Sequence, residues 1–65
     1  MKRGDLIRLI EAFGCRLVRH GGNHDWYQNP YTGASQPIPR HQEIDDHFAK
    51  RIIKRLGQDE KLHRN

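Results

Sequence analysis

Residues 15–28 have the sequence Cys-Arg-Leu-Val-Arg-His-Gly-Gly-Asn-His-Asp-Trp-Tyr-Gln, and this stretch determines the fold that we expect. Residues 15–20 are short, alternating and partly β-branched, which is typical of a strand. Gly21 and Gly22 can supply the positive φ of a tight turn. Residues 23–28 favour a second strand because they include a tryptophan and a tyrosine. The stretch therefore predicts an antiparallel hairpin.

A third strand is expected after this hairpin. Residues 29–33, Asn-Pro-Tyr-Thr-Gly, are rich in turn formers and predict a second reversal of the chain. Residues 35–39 can form the strand, but Pro37 and Pro39 lack the amide hydrogen that a β-ladder needs. We therefore expect a three-stranded antiparallel meander whose outermost strand contains the prolines.

Helical patterns flank the strands on both sides. In residues 5–13 the apolar side chains recur on one side of a helix, and Gly14 provides a left-handed stop. A second helix is predicted from about Asp45, which suits an N-cap, to Gly57. Its apolar residues lie on one side and its positive charges on the other. These charges form what we call the basic strip, which consists of Lys50, Arg51, Lys54 and Arg55.

The element order predicts an α+β fold, α-β-β-β-α, with both helices on one face of the sheet and the other face open. This is the topology of double-stranded-RNA-binding domains. We expect residues 1–57 to form a single domain of this kind. Residues 58–65 are polar and lack periodicity, so we expect a disordered tail there.

The composition of the 65-residue chain argues against several classes of protein. A net charge of +4 favours a polyanionic partner, most often nucleic acid. No apolar run approaches the roughly 18 residues needed to span a bilayer, so a membrane protein is not expected. The single cysteine, Cys15, cannot form an intramolecular disulfide and fits a reducing compartment. We therefore expect a small cytoplasmic domain.

One histidine is notable for its position. His24 follows Gly21, Gly22 and Asn23 at the start of the second strand. There a strand holds it rigidly, while the supporting turn lets another backbone approach closely. An imidazole exchanges protons near neutral pH and can serve as a general acid or base. The spacing is also consistent with an ordinary surface histidine at a hairpin.

These residues belong to a longer pattern that resembles the HicA (YcfA-like) toxin family. The pattern comprises an opening helix at 2–13, Leu17-Val18-Arg19 before Gly22-Asn23-His24, Tyr27, Ile38-Pro39-Arg40-His41 and Glu43-Ile44. It covers residues 2–57. Asn23 stands where the family usually has serine or threonine, and the pair Asp45-Asp46 is more acidic than the usual family sequence.

The resemblance implies both a fold and a function. HicA proteins are small toxins with a double-stranded-RNA-binding-like fold that cleave mRNA without needing the ribosome. A HicB antitoxin encoded alongside neutralises them. The catalytic histidine of the family corresponds to His24 in this chain. The resemblance therefore implies the endoribonuclease toxin of a type II toxin–antitoxin pair.

Such chemistry needs few protein groups because RNA carries its own nucleophile, the 2′-hydroxyl. An enzyme that removes this proton can form a 2′,3′-cyclic phosphate without a metal, with His24 as base or acid. Arginines or lysines would offset the charge of the transition state. The candidates for this role are Arg19, Arg40 and Lys2 or Arg3. The second proton-transfer group stays open among His20, His41 and Asp25.

Strand parity places Trp26 beside His24. Alternate side chains point to opposite faces, so His24 and Trp26 share one face while Asp25 and Tyr27 share the other. On an open face Trp26 can stack an unpaired base. Alternatively, it packs in the core or against an antitoxin. The basic strip is either a solvated helix face or a contact for RNA phosphates or for an acidic antitoxin.

A metal site is the weaker alternative. His20, His24 and Asp25 are close in sequence, but strand residues four apart are separated by about 13 Å. Paired ligand motifs typical of zinc sites are not present in the sequence. We therefore expect no metal and no other cofactor. The sequence predicts a metal-independent ribonuclease that acts on mRNA and binds a HicB-type antitoxin, and the alternatives are a non-catalytic RNA-binding module or a protein-binding adaptor.

Overall fold

The computed structural model describes residues 1–57, which form five elements in the predicted order. They are the helix α1 (Arg3–Ala12), the strands β1 (Arg16–Gly21), β2 (His24–Gln28) and β3 (Ser35–Pro39), and the helix α2 (Asp46–Gly57). This α-β-β-β-α order confirms the predicted α+β class. The tail predicted for residues 58–65 lies outside the described residues.

The first helix begins earlier than the apolar pattern predicted. Lys2 forms an isolated antiparallel bridge with Glu43, and the Arg3 amide donates to the Gln42 carbonyl over 2.8 Å. This pairing fixes the chain just before the helix, where the Lys2 carbonyl accepts the Leu6 amide at 3.0 Å. Local periodicity contains no information on a contact between residues so distant in sequence.

The stop predicted at Gly14 is confirmed, although α1 itself ends at Ala12, one residue before the predicted Phe13. Gly14 has a φ of +98°, in the left-handed region, and its amide donates to the Glu11 carbonyl at 2.9 Å. Cys15 was predicted to open the first strand, but its amide donates to the Ile10 carbonyl at 3.1 Å. Because this bond belongs to the helix terminus, β1 starts one residue later, at Arg16.

The sheet has the strand order β1-β2-β3, and both pairs are antiparallel. The strand with the prolines, β3, therefore lies at an edge, as predicted. In the ladder, His24 is opposite Gly21 of β1 and Pro39 of β3. A bulge between Leu17 and Arg19 adds one residue to β1 and shifts its alternation there.

Both helices cover the same face of the sheet. Tyr27 of β2 and Ile38 of β3 are buried together with apolar side chains from α1 and α2. The buried apolar set is Leu6, Ile10, Cys15, Tyr27, Ile38, Ile44, Ala49, Ile52 and Leu56. Within residues 1–57 the opposite face of the sheet is covered by no helix, which leaves it open as predicted.

The second helix is amphipathic in the predicted sense. Asp45 caps it, since its Oδ2 accepts the Phe48 amide at 3.2 Å. Ala49, Ile52 and Leu56 are buried, whereas all four residues of the basic strip are exposed. Neither helix of the described part is long and apolar enough to cross a membrane.

The turn between β2 and β3 is tied to α2 by a buried side chain. Asn29 is fully buried, and its Nδ2 donates to the Leu56 carbonyl at 2.6 Å. Its Oδ1 accepts a hydrogen bond from the Tyr31 backbone amide at 2.8 Å, and the Asn29 backbone amide donates to the Ala34 carbonyl at 2.9 Å. The sequence predicted a turn here, but the contact that docks it on the helix is visible only in the structure.

Candidate functional site

The alternation of β2 divides the candidate residues between two environments. Asp25 and Tyr27 are buried on the helix side, whereas His24 is exposed and Trp26 is half-buried on the other side. The strand parity predicted from the sequence is thereby confirmed. His24 and Trp26 share the open face of the sheet.

The register shows which other side chains belong to this open face. Arg19 is opposite Trp26 on β1, and Pro37 is opposite Trp26 on β3. Together, the residues of the open face are Arg16, Arg19, Gly21, His24, Trp26, Gln28, Ser35, Pro37 and Pro39. The face thus combines two arginines, a histidine and a tryptophan, and two prolines of β3 lie along one edge of it.

Arg19 and Trp26 contact each other on the open face. The guanidinium carbon of Arg19 lies 5.4 Å from the centre of the indole, which is a cation–π distance. A Cβ placed on Gly21 would lie 3.4 Å from the indole Nε1. The indole therefore lies over Gly21 of β1, at a distance where a methyl group would make ordinary van der Waals contact. The sequence predicted Gly21 as a turn residue, but the structure places it at the end of β1, opposite His24, and the turn consists of Gly22 and Asn23.

His24 lies at the end of the sheet, where it lines a cavity of 290 Å³. The other lining residues are Asn23, Pro39, Arg40 and His41. His41 was one of three candidates for a second proton-transfer group, and of these three it is the one that lines the cavity of His24. The cavity therefore brings two histidines and one arginine together.

Asp25 occupies the opposite face and is surrounded by cationic partners. Its Oδ2 accepts Arg3 Nη2 at 2.8 Å, and its Oδ1 accepts Arg40 Nη2 at 2.8 Å and Arg40 Nε at 3.1 Å. Oδ1 also lies 2.8 Å from His20 Nδ1. Hydrogen bonds from Arg40 and His20 hold the pKa of Asp25 well below its ordinary value. The carboxylate is therefore ionised at neutral pH and is a poor source of protons.

The remaining donors of the two arginines bind backbone carbonyls. Arg40 Nη1 donates to the Gly22 carbonyl at 2.8 Å, and Arg3 Nε donates to the Pro39 carbonyl at 2.8 Å. The hydrogen bonds to Asp25 also raise the pKa of Arg40. Of the arginines that the sequence proposed for phosphate contacts, Arg3 and Arg40 converge on Asp25, while Arg19 lies on the open face.

The basic strip borders a separate groove, which we call the α2 groove. This groove has a volume of 620 Å³ and is lined by Ala34, Gln36, Phe48, Arg51, Lys54 and Arg55. Gln36 has the same strand parity as the buried Ile38, so the groove lies on the helix side of the sheet. The structure therefore does not bring the basic strip to the face of His24, and Lys50 lies outside the groove.

Metal ligands are not gathered in the part of the chain that the structure describes. Among residues 1–57 no group of three or more histidine, cysteine, aspartate or glutamate side chains is arranged to hold a metal ion. His20 binds Asp25 on one face of the sheet, and His24 points to the other. The three residues that formed the metal alternative are thus not assembled around one point.

The hydrogen-bonded cluster around Asp25 is the feature that sequence reasoning missed. The sequence predicted Asp25 as a candidate acid or base or, in the metal alternative, as a ligand beside His20 and His24. Its parity with Tyr27 already placed it on the buried face, where an ionised carboxylate needs cationic or hydrogen-bonding partners. This signal predicts that partners exist, although it does not identify them as Arg3 and Arg40.

Comparison with known families identifies the chain. The family model described as the HicA toxin of bacterial toxin–antitoxin matches residues 3–58. Neither the comparison with curated proteins nor the comparison with solved structures gave a match. The matched segment includes both helices, all three strands and the turn before His24. The chain therefore belongs to the HicA toxin family and is a toxin of a toxin–antitoxin system.

Proposed function

We propose that this toxin is an endoribonuclease that cleaves mRNA, with His24 as its catalytic residue. The observation that supports this most is the position of His24, which is exposed on the open face and lines a cavity with Arg40 and His41. A catalytic imidazole must reach the proton that it transfers, and an exposed side chain on a rigid strand satisfies this condition.

The proposed reaction uses the 2′-hydroxyl of the substrate as the nucleophile. A base takes the 2′-hydroxyl proton while the 2′ oxygen forms a bond to phosphorus. The bond from phosphorus to the 5′ oxygen of the next nucleotide breaks, and an acid protonates that oxygen. The products are a 2′,3′-cyclic phosphate and a 5′-hydroxyl end. His24 takes one of these two roles, and His41 is the candidate for the other because it lines the same cavity.

The open face provides the surface on which an RNA strand would lie. Trp26 offers an aromatic plane for base stacking, which contributes about 1–3 kcal/mol per base in single-strand binding. Arg19 is already stacked on the indole and supplies a positive charge at the same place. A single strand with unstacked bases fits this surface better than a duplex, whose base faces are not accessible.

Inhibition would come from a HicB-type antitoxin bound in trans. The open face lacks a covering helix within residues 1–57, and the whole chain has a net charge of +4. An acidic partner would therefore be attracted to the chain and would mask His24. Hydrogen exchange of the complex tests this proposal, since the amides of residues 19–28 should become protected. Inhibition without such protection would contradict direct masking.

The ribonuclease proposal is tested on a defined substrate. Cut sites are first mapped on a labelled transcript, and one site is then synthesised with either ribose or 2′-deoxyribose at the cleaved position. We expect cleavage of the ribose substrate alone, a 2′,3′-cyclic phosphate on the product, and a rate that EDTA does not change. Cleavage of the deoxy substrate, or loss of activity on chelation with rescue by a divalent metal ion, would contradict the mechanism.

A non-catalytic RNA-binding module is the second candidate. The contact between Arg19 and Trp26 favours it, because base stacking on this pair does not depend on His24. Salt-sensitive RNA binding by the wild-type protein, without any cleavage, would support this candidate and contradict the ribonuclease. A protein that shows no RNA affinity at low salt would contradict both.

A further inference from the structure

The cluster around Asp25 ties together segments that are far apart in the sequence. Its carboxylate binds Arg3 at the start of α1, His20 on β1 and Arg40 just after β3, while Asp25 itself lies on β2. The Asp25 side chain is only 12% exposed, so these partners replace most of its water. One carboxylate therefore links both edge strands and α1 to the strand that carries His24.

Arg40 extends this link to the backbone on both sides of Asn23. While Nε and Nη2 bind Asp25, Nη1 donates to the Gly22 carbonyl at 2.8 Å and Nη2 approaches the His24 carbonyl at 3.5 Å. The guanidinium therefore contacts the residue before Asn23 and the residue after it. All three of its nitrogens take part in hydrogen bonds within the protein.

The turn that Arg40 contacts has little intrinsic order. The turn consists of Gly22 and Asn23, and Gly22 has a φ of +22°. Glycine loses more conformational freedom on folding than other residues, so contacts from outside help this two-residue turn to hold one conformation. Because His24 begins β2 directly after this turn, motion of the turn would move the imidazole.

We propose that Arg40, held by Asp25, is a positioning residue that fixes the backbone around His24. This inference rests on the proposed ribonuclease activity of His24. Arg40 then acts through two carbonyls and the placement of the imidazole, and it is not a ligand of the RNA phosphate. Arg3 supports the arrangement from the other side, since it binds Oδ2 of Asp25 and the Pro39 carbonyl opposite His24.

The first test measures the turn itself and needs no RNA. In Arg40→Lys one ammonium group replaces a planar guanidinium and cannot serve Asp25 and two carbonyls together. We expect ¹⁵N order parameters of Gly22, Asn23 and His24 to fall from about 0.85 to below about 0.6. Asp25→Asn should give the same change. Order parameters that stay at the wild-type level in both variants would overturn the proposal.

An exposed arginine–aspartate pair elsewhere provides the control. Arg8 Nη2 lies 2.6 Å from Asp5 Oδ1 on the exposed side of α1, away from the turn. Arg8→Lys and Asp5→Asn make the same chemical changes there, and we expect neither to alter the order parameters of residues 22–24. A comparable loss of order in these controls would show that the effect is not specific to Arg40.

The second test uses the kinetics of RNA cleavage. A displacement of about 1 Å can cost about 100-fold in rate, so we expect Arg40→Lys to lower kcat about 10- to 100-fold with KM nearly unchanged. A residue that binds the RNA phosphate equally in the ground state and the transition state would behave differently, because its loss would appear in KM. A raised KM with the wild-type kcat would overturn the proposal. If the wild type did not cleave RNA, only the proposed function would fail, and the order parameters would still decide whether Arg40 orders the turn.

Discussion

The turn between β1 and β2 is held by charged side chains at the end of the sheet, whereas the turn between β2 and β3 is held by a neutral side chain in the core. In the first turn Arg40 binds the Gly22 carbonyl and is itself bound by Asp25. In the second turn the fully buried Asn29 binds the Leu56 carbonyl and the Tyr31 amide. One turn is fixed at the surface and the other is part of the hydrophobic packing.

This difference matches what each turn presents to solvent. The first turn leads directly into His24, which is exposed and borders a cavity. A polar cluster can order such a turn without covering the histidine. The second turn presents no candidate site residue, so its anchoring side chain can be buried under α2. Under the proposed function the first turn therefore supports His24, whereas the second turn stabilises the fold.

The largest expected effect on stability comes from removing the anchor of the second turn. Asn29→Ala removes the buried hydrogen bond to the Leu56 carbonyl and the part-buried hydrogen bond from the Tyr31 amide. An unsatisfied buried group costs about 1–3 kcal/mol, so we expect a loss of that size in the free energy of unfolding. Urea denaturation measures it.

A variant at the first turn provides the control for this comparison. Asn23 is exposed, so Asn23→Ala should change the free energy of unfolding by less than about 0.5 kcal/mol. If the two alanine variants were equally destabilised, the distinction between the turns would be wrong.

The next largest effect concerns RNA affinity on the open face that the first turn borders. Trp26→Ala should weaken binding by about 1–3 kcal/mol because it removes a stacking platform. The measurement uses a His24→Ala background, so that the RNA stays intact during the titration. Tyr31 is the matched aromatic, since it is 78% exposed and lies in the second turn. Equal losses for Tyr31→Ala and Trp26→Ala would show that the open face has no special role.

A smaller effect should appear in the pH dependence of stability. The folded pKa of Asp25 is lowered, so the unfolded chain binds a proton at a higher pH than the folded chain. The contribution of Asp25 is therefore complete above the unfolded pKa of about 4 and is lost as the pH falls below it. In urea titrations from pH 6 to pH 2, Asp25→Asn should lose less stability than the wild type. A parallel pH dependence for both proteins would contradict the ion-paired state of Asp25.

The smallest expected effect is on the salt dependence of RNA binding. This measurement tests whether RNA contacts the α2 groove, which lies beside the second turn. Ala34 follows that turn and lines the α2 groove with Arg51, Lys54 and Arg55. If the groove binds phosphates, changing its three basic residues to glutamine should reduce the slope of log K against log salt by about 2. Lys50→Gln, outside the groove, should change the slope less than any single groove substitution. An unchanged slope for the triple variant would confine RNA to the open face.

The sequence predicted the features of the molecule that depend on local periodicity and strand parity. The strand order, the edge position of Pro37 and Pro39, the cap at Asp45 and the shared face of His24 and Trp26 all followed from such patterns. Each of these depends on residues close together in the chain. They are the features that propensity and spacing can specify.

The contacts that sequence reasoning missed join residues far apart in the chain. The bridge between Lys2 and Glu43 fixes the chain just before α1, and the bond from Asn29 to Leu56 docks the second turn. The approach of Arg40 to Gly22 likewise depends on how β3 ends beside the first turn. Parity can indicate that Asp25 needs a partner, but the partner is decided by the packing of the whole sheet.

The most direct test of the account compares activity and stability in one pair of histidine variants. His24→Ala should reduce RNA cleavage to the level of a blank while the free energy of unfolding stays within about 0.5 kcal/mol of wild type. His47 is an exposed histidine on α2, away from the first turn, and His47→Ala should keep both the rate and the stability. Cleavage by His24→Ala at the wild-type rate would contradict the central claim that the first turn presents the catalytic residue.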